Sequence, residues 1–116
     1  LFLTQLGQVR GVAAVKRPLP SYRMRVGKSA NAELTDEDFP YELGYIFIVP
    51  EVRGQKLSGP LVAKALEVVS DSGVFATVRI DNQAMRASLL KAGFKPVGRP
   101  YRGRNSRILQ VFIKQV

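Results

Sequence analysis

The sequence predicts a mixed α/β domain, with a mostly antiparallel sheet broken at its centre by one strand–helix–strand crossover. Apolar runs rich in β-branched and aromatic residues recur at 2–6, 9–15, 43–49, 74–80, 94–97 and 108–113. Apolar residues recur at helical spacing over 60–69 and 83–92. The first helical stretch lies between two strand-like runs, which makes those two strands parallel neighbours joined by a right-handed crossover.

Phe2–Leu6 and Val9–Val15 flank "LGQ", which reads as a hairpin around Gly7. Lys16–Asn31 is basic and interrupted by Pro18, Pro20 and Gly27, and reads as an irregular excursion or a strand extension with a loop. "AELTDEDFPYE" holds Glu33, Asp36, Glu37, Asp38 and Glu42 and reads as a solvated acidic loop. Leu43–Val49 is an almost unbroken strand run, buried on both faces, that Pro50 stops. Pro60 suits a first helical turn because its missing N–H would find no intrahelical partner, and Ser58 or Gly59 can cap the helix that "SDSG" ends.

Val74–Ile80 alternates as a strand. Asp81 or Asn82 can cap the next helix, whose Met85, Leu89 and Ala92 share a face and whose end Gly93 can close in the left-handed conformation. Phe94–Val97 and Ile108–Ile113 read as a final strand pair joined by the basic loop "GRPYRGRNSR".

Composition narrows the chemistry. A chain of 116 residues, 46% apolar, supports one modest core and one domain over 1–116. It has no Cys, so disulfides, thiolate metal sites and a cysteine acyl-enzyme are excluded, which suits a reducing cytoplasm. It has no His, so a Ser-His-Asp triad and a histidine-liganded metal are excluded, and no metal site is expected. A formal charge of +9, from 18 basic and 9 acidic residues, favours an anionic partner: a nucleic acid, a phosphorylated cofactor or an acidic substrate. No run approaches the roughly 18 apolar residues of a membrane span. The chain opens on Leu1 rather than Met, with strand-like sequence from its start and no basic leader, and reads as a fragment.

The turn "VPEVRGQKLSGP" links the strand at 43–49 to the next helix. The first N–H groups of a helix lack backbone partners and point outward with the positive end of its dipole, so such a junction binds anions. Gly54 and Gly59 permit close approach, and Arg53 and Lys56 add charge. Read locally, an ordinary solvated turn and a phosphate cradle both remain open. The order of residues in "GQKLSG" is not that of a P-loop.

Together, "LGYIFIVPEVRGQKLSGPLVAKAL" and "VRIDNQAMRASLLKAGFKPVGRPY" resemble the GCN5-related N-acetyltransferase superfamily, closely over residues 43–98 and loosely in the flanking strands. The resemblance implies the acyl-CoA N-acyltransferase fold, in which the two central strands splay apart and acetyl-CoA lies in the cleft. It implies that the backbone of Ile48 and Val49 pairs with the pantetheine arm. Arg53, Gly54, Gln55, Lys56, Leu57 and Ser58 would cradle the pyrophosphate, and Asn82 falls on the family's cofactor-side Asn. Lys56 and Ser58 replace the small residues of the family loop, so Lys56 either adds an ammonium to the phosphates or crowds them.

Two catalytic groups common in the family are replaced here, its tyrosine acid by Leu89 and its glutamate by Thr77. Glu42, just upstream of the splayed strand, is the remaining base candidate, with a surface carboxylate paired to an Arg as its plain alternative. Tyr45 is a candidate cleft hydroxyl or a half-buried strand aromatic. Arg99, Tyr101, Arg102 and Arg104 would stand beside the acceptor entrance, facing an acidic acceptor or remaining a solvated hairpin tip.

The resemblance thus implies an acetyl-CoA-dependent N-acetyltransferase that acts on a primary amine by direct attack in a ternary complex. The competing expectation is a catalytically degenerate acyl-CoA-binding module or a basic nucleic-acid-binding module. A homodimer is compatible with either. On this resemblance the chain is expected to start at the strand that follows the family's initial strand and two helices, which cover the acceptor side, whether those are absent from the protein or only from the sequence given.

Overall fold

The computed structural model describes residues 2–5, 8–48 and 58–116, with side chains over 13–44 and 59–116. Its elements run β1 (Phe2–Gln5), β2 (Gln8–Lys16), α1 (Pro20–Ala30), β3 (Tyr41–Ile48), α2 (Ser58–Glu67), β4 (Val74–Arg79), α3 (Gln83–Lys91), β5 (Lys95–Arg102) and β6 (Ile108–Lys114). The strands form one sheet in the order β1-β2-β3-β4-β6-β5. β3 and β4 are parallel and joined through α2, whereas the other neighbouring pairs are antiparallel. The mixed sheet with its central crossover is therefore as expected. β1 and β2 pair with Gln5 opposite Gln8; Leu6 and Gly7 lie outside the described residues.

Side chains alternate across β4, and the alternation separates two cores. Val74, Ala76 and Val78 join Leu43, Phe112 and the apolar faces of α2 and α3. Phe75 turns the other way, to Val111, Ile113 and the α1 residues Val26 and Ala30. The sheet is thus covered by α2 and α3 on one face and by α1 on the other.

The helix α1 corrects the irregular reading of 16–31. Pro20 is not a breaker there: it stands in the first turn, where its fixed φ starts the helix. Gly27 sits mid-helix because a Cβ on it would lie 2.9 Å from the Ala32 carbonyl oxygen, where the chain doubles back. Asn31 ends the helix in the left-handed region at φ 53°. The buried stripe is Arg23, Val26, Gly27 and Ala30. With an arginine and a glycine in half of its inward positions, no apolar period announces this helix.

Three boundaries also move. β3 begins at Tyr41, so Glu42 is a sheet residue rather than part of the acidic loop; Glu33, Asp36, Glu37 and Asp38 are exposed as expected. α2 begins at Ser58, which puts Ser58 and Gly59 inside its first turn instead of ahead of it. β5 continues past Val97 to Arg102 and shortens the expected loop. A register break lies between Val97 and Tyr101, where the buried Gln110 side chain donates to the Val97 carbonyl at 2.9 Å. Gly98 in this bulge has φ +68°, and a Cβ on it would overlap the Ala30 carbonyl oxygen, so β5 and α1 meet backbone to backbone.

The second helix of the sequence reading, α3, closes as its residues indicate. Asn82 Oδ1 accepts from the Met85 N–H at 3.1 Å. At the other end Gly93 N–H bonds the Leu90 carbonyl and Phe94 N–H the Leu89 carbonyl, with Gly93 at φ 99° and Phe94 buried. Among the described residues, no helix is long and apolar enough to cross a membrane, and no group of acidic residues could hold a metal ion.

Candidate active site

Parallel β3 and β4 share only two rungs, Tyr41 opposite Val74 and Glu42 opposite Phe75. Beyond them β3 follows β2 as far as Ile48, and β4 follows β6 as far as Arg79. The two strands therefore diverge after Glu42, and the backbone groups on their facing edges have no ladder partner in each other. A cleft of about 270 Å³ opens in the gap, with Leu43 and Gly44 on one wall, Thr77 and Arg79 on the other, and Asn82 at its margin. An extended chain entering this gap can pair with the free strand edge, as a strand added to a sheet does.

Glu42 occupies the last shared rung and points to the α1 face, 3% exposed. The phenol of Tyr22, on α1, donates to Glu42 Oε2 at 2.8 Å. Lys16, opposite Glu42 on β2, brings Nζ to 3.4 Å from Oε1. This is an ion pair without hydrogen-bond alignment, so Oε1 is buried with no aligned donor. Lys16 reaches the carboxylate past Gly44, where a Cβ would stand 3.3 Å from its Cε. Glu42 is thus neither exposed nor paired with an arginine, against its plain reading as a surface carboxylate.

Two tyrosines share this environment. Burial pushes the Tyr22 phenol well above its ordinary value; its hydrogen bond to Glu42 and that residue's charge add to the shift, and a hydrogen bond with Thr77 opposes it. Burial, then the charge of Glu42, push Tyr101 up to about 12, with Arg25 opposing. The Lys16 ammonium stands 5.6 Å from the Tyr22 ring centroid and the Arg25 guanidinium 5.5 Å from it. Both phenols are therefore held neutral beside a carboxylate at the root of the splay.

The structure brings Glu42 and Tyr101 into one cluster and sets Asn82 at the cleft. Because the cap of α3 uses Asn82 Oδ1, the amide N–H groups are what this side chain can offer a ligand. Ile48 ends the described part of β3, and Ser58 starts α2. Val49, Arg53, Gly54, Gln55, Lys56 and Leu57 lie outside the described residues, as do the side chains of Tyr45, Ile48 and Ser58. Arg99 donates to the Ser29 carbonyl at 3.3 Å and ties β5 to α1, while Arg102 and Arg104 are exposed. Leu89 is 1% exposed and is a core residue beside the cleft.

Lys16 and Tyr22 around Glu42 are residues that sequence reading passed over, and Thr77 entered it only as the replacement of a family glutamate. Thr77 had a local signal, as a polar residue in a strand that is otherwise apolar up to Arg79. Tyr22 had none, because the helix carrying it was not visible.

No protein-family model and no curated protein matches the chain. Solved structures do match in fold. An acyl-CoA N-acyltransferase from Pseudomonas aeruginosa superposes with a TM-score of 0.67 at 17% identity over 97% of this chain and 65% of that one. A ribosomal-protein-alanine N-acetyltransferase from Brucella melitensis gives 0.69 at 21% identity, over 99% of this chain and 67% of that one. The CoA-dependent acyl-homoserine lactone synthase BjaI, solved with SAM and isopentyl-CoA, gives 0.70 at 18% identity, over 99% and 56%. The chain thus spans about two thirds or less of the length of these proteins.

Proposed function

We propose that this chain, which has the acyl-CoA N-acyltransferase fold, transfers an acetyl group from acetyl-CoA to a primary amine by direct attack in a ternary complex. The observation that carries the reading is the divergence of β3 and β4 immediately after buried Glu42, which sets an open strand edge, a cleft and a carboxylate at one point of the sheet. The open edge of β3, described as far as Ile48, suits the amide-bearing pantetheine arm, for which the backbone of Ile48 and Val49 would be the partners. Residues 53–57, which precede Ser58 at the start of α2, would hold the pyrophosphate, since helix N–H groups and basic side chains both favour anions there. Asn82 adds amide donors at the margin of the cleft.

When bound, acetyl-CoA supplies an activated acyl carbon on a thiolate leaving group, which lowers the need for a strong acid on the protein. The chain supplies position and a proton acceptor. Glu42, with one oxygen lacking an aligned donor, is the acceptor for the proton that the amine loses. Tyr45, on the strand beside the cleft, is the candidate hydroxyl near the acyl group. Arg102 and Arg104 on the β5–β6 hairpin, with Arg99 and Tyr101, form a basic rim suited to an acceptor that carries acid groups. The reaction suits the cytoplasm, in keeping with the absence of Cys.

Thermal shift with acetyl-CoA and with CoA, followed by thiol release against a panel of amines, tests this reading. Both ligands should stabilise the fold, and Glu42→Gln should lower kcat by about 10²–10⁴-fold. Stabilisation by neither ligand refutes the assignment. Stabilisation with no thiol release on any amine makes the chain an acyl-CoA-binding module instead.

A further inference from the structure

The net charge is not spread evenly along the chain. Residues 1–81 hold ten basic and all nine acidic residues, whereas 82–116 hold eight basic residues and no acid. The fold gathers much of that excess at one edge of the sheet. β5 is the last strand in the sheet order, and its Lys95, Arg99 and Arg102 are exposed, as are Arg104 and Arg107 in the turn that follows. Among the described residues none of these five is in an ion pair; the ion pairs use Lys16, Arg23, Lys64 and Arg79. Arg25 adds an exposed charge from α1, the helix that Arg99 ties to β5 through the Ser29 carbonyl.

The turn is closed by its own backbone. Gly103 N–H donates to the Arg107 carbonyl at 2.8 Å and Ser106 N–H to the Gly103 carbonyl at 3.2 Å, with Ser106 at φ 57°. Arg104 and Arg107 thereby stand on a defined tip beyond the last rung of the hairpin, Arg102 opposite Ile108. Ile80 N–H donates to the Ile108 carbonyl at 2.9 Å, which puts the tip at the end of β4, the end of the sheet toward which the cleft opens.

Guanidinium groups gathered without carboxylate partners attract an array of anions. Other features of the edge select among such arrays. Pro96 and Pro100 have no N–H to offer, and the bulge at Gly98 interrupts the strand, so β5 is a poor template for an added strand. An acidic peptide therefore lacks backbone pairing here. Every described aromatic side chain is buried or half-buried, and Tyr101, the ring of the hairpin, packs against the second core. The bases of a single strand therefore have no exposed ring among the described residues to stack on. Phosphate contact remains, and a duplex presents phosphates at regular spacing on its outside.

We infer that the β5 edge and its tip form a docking surface for the phosphate backbone of double-stranded nucleic acid, bound without regard to base sequence or sugar. The surface is independent of acetyl transfer. The basic rim assigned above to the acceptor is one part of it, so a bound duplex lies beside the mouth of the cleft.

Fluorescence anisotropy with a short labelled DNA duplex, in the absence of any acyl-CoA, reads the docking, so it can fail without the acetyltransferase reading failing and the reverse. With about four phosphates neutralised, log K against log salt should have a slope of about −3.6, and affinity should fall by about 100-fold between about 50 and about 200 mM salt. Arg104→Ser and Arg107→Ser should each make the slope shallower by about 0.9. Lys64→Ser, which removes an exposed charge from α2 instead, should leave the slope unchanged. An RNA duplex should bind within about threefold of the DNA duplex, and polyglutamate should displace neither. Circular dichroism checks that each variant keeps the fold.

Absence of binding at about 50 mM salt overturns the inference. So does a slope that Arg104→Ser and Arg107→Ser leave unmoved or that Lys64→Ser moves equally, since the charge would then act diffusely. Tighter binding of a single strand, or a preference of more than about tenfold between the two duplexes, would mean that bases or sugars are read. Displacement by polyglutamate would point to an acidic protein instead. Self-association that either arginine variant abolishes would assign the tip to the exposed acidic segment 33–38 of a second copy.

Discussion

Replacing Arg23 with methionine removes a charged fork from the second core while keeping most of the buried stem. The Arg23 side chain is 7% exposed. Its Nη1 donates to the Phe39 carbonyl, and its Nη2 lies 3.3 Å from the Pro40 carbonyl and 3.2 Å from Asp36 Oδ1. The guanidinium also stands 5.7 Å from the Phe75 ring centroid. Two carbonyls left without a donor cost about 1–2 kcal/mol each. The lost cation–π contact adds up to about 1 kcal/mol. Asp36 contributes little, because its side chain is 67% exposed and solvent screens the pair to under about 1 kcal/mol.

Arg23→Met should therefore destabilise the fold by about 2–5 kcal/mol, a large share of the roughly 6–15 kcal/mol expected for a domain of this size. At about 4 °C per kcal/mol that is a fall of about 8–20 °C in Tm. Arg23→Lys keeps the charge but not the planar fork and should fall between. Asp36→Asn should cost less than about 1 kcal/mol. Urea denaturation followed by far-UV circular dichroism measures all three. A loss below about 1 kcal/mol in Arg23→Met, or an Asp36→Asn loss equal to it, would show that the fork does not hold α1 to the 36–40 segment.

Gly98→Ala should destabilise by about 2–4 kcal/mol, because alanine is strained at φ +68° and its Cβ would displace the Ala30 carbonyl and lift α1 from β5; the same melts read it, and a neutral result would mean that β5 has room to shift. Tyr101→Phe should flatten the alkaline loss of stability. The folded phenol titrates at about 12 against an ordinary value of 10.0, so the folded state holds its proton more tightly than the unfolded one. That contribution is complete below about pH 10 and is lost as the pH rises toward about 12. It amounts to about 1–2 kcal/mol after discounting for the exposed portion of the ring. Denaturation of wild type and variant from about pH 8 to about pH 12 compares the slopes, and parallel curves would refute the shift.

The helices α2 and α3 and the strands β3 and β4 were legible because each declares itself within a few residues. "GPLVAKAL" repeats at helical spacing behind a proline suited to a first turn, and "DN" and "AGF" supply the cap and the left-handed closure that the structure displays around α3. Glu42 was misplaced for a reason of the same kind. It ends an acid-rich string, and only its neighbours Lys16 on β2 and Phe75 on β4 make it a buried sheet residue. β5 ran past Gly98 and Pro100 because β6 and the Gln110 side chain bridge a break that looks terminal in one strand alone.

The sequence by itself determined the crossover, the two helices that follow β3 and β4, the positive charge, and the absence of any imidazole or thiol chemistry. Those properties depend on composition and on interactions between residues three or four positions apart. Tertiary structure decided α1, whose inward face carries an arginine satisfied by the Phe39 and Pro40 carbonyls and Asp36, and the meeting of Lys16, Tyr22 and Glu42. These three stand on separate elements, and each is ordinary in its own segment. They meet because the sheet places β2 and β3 side by side and the helix inserted before β3 folds back over them, just where β3 and β4 diverge beyond the carboxylate.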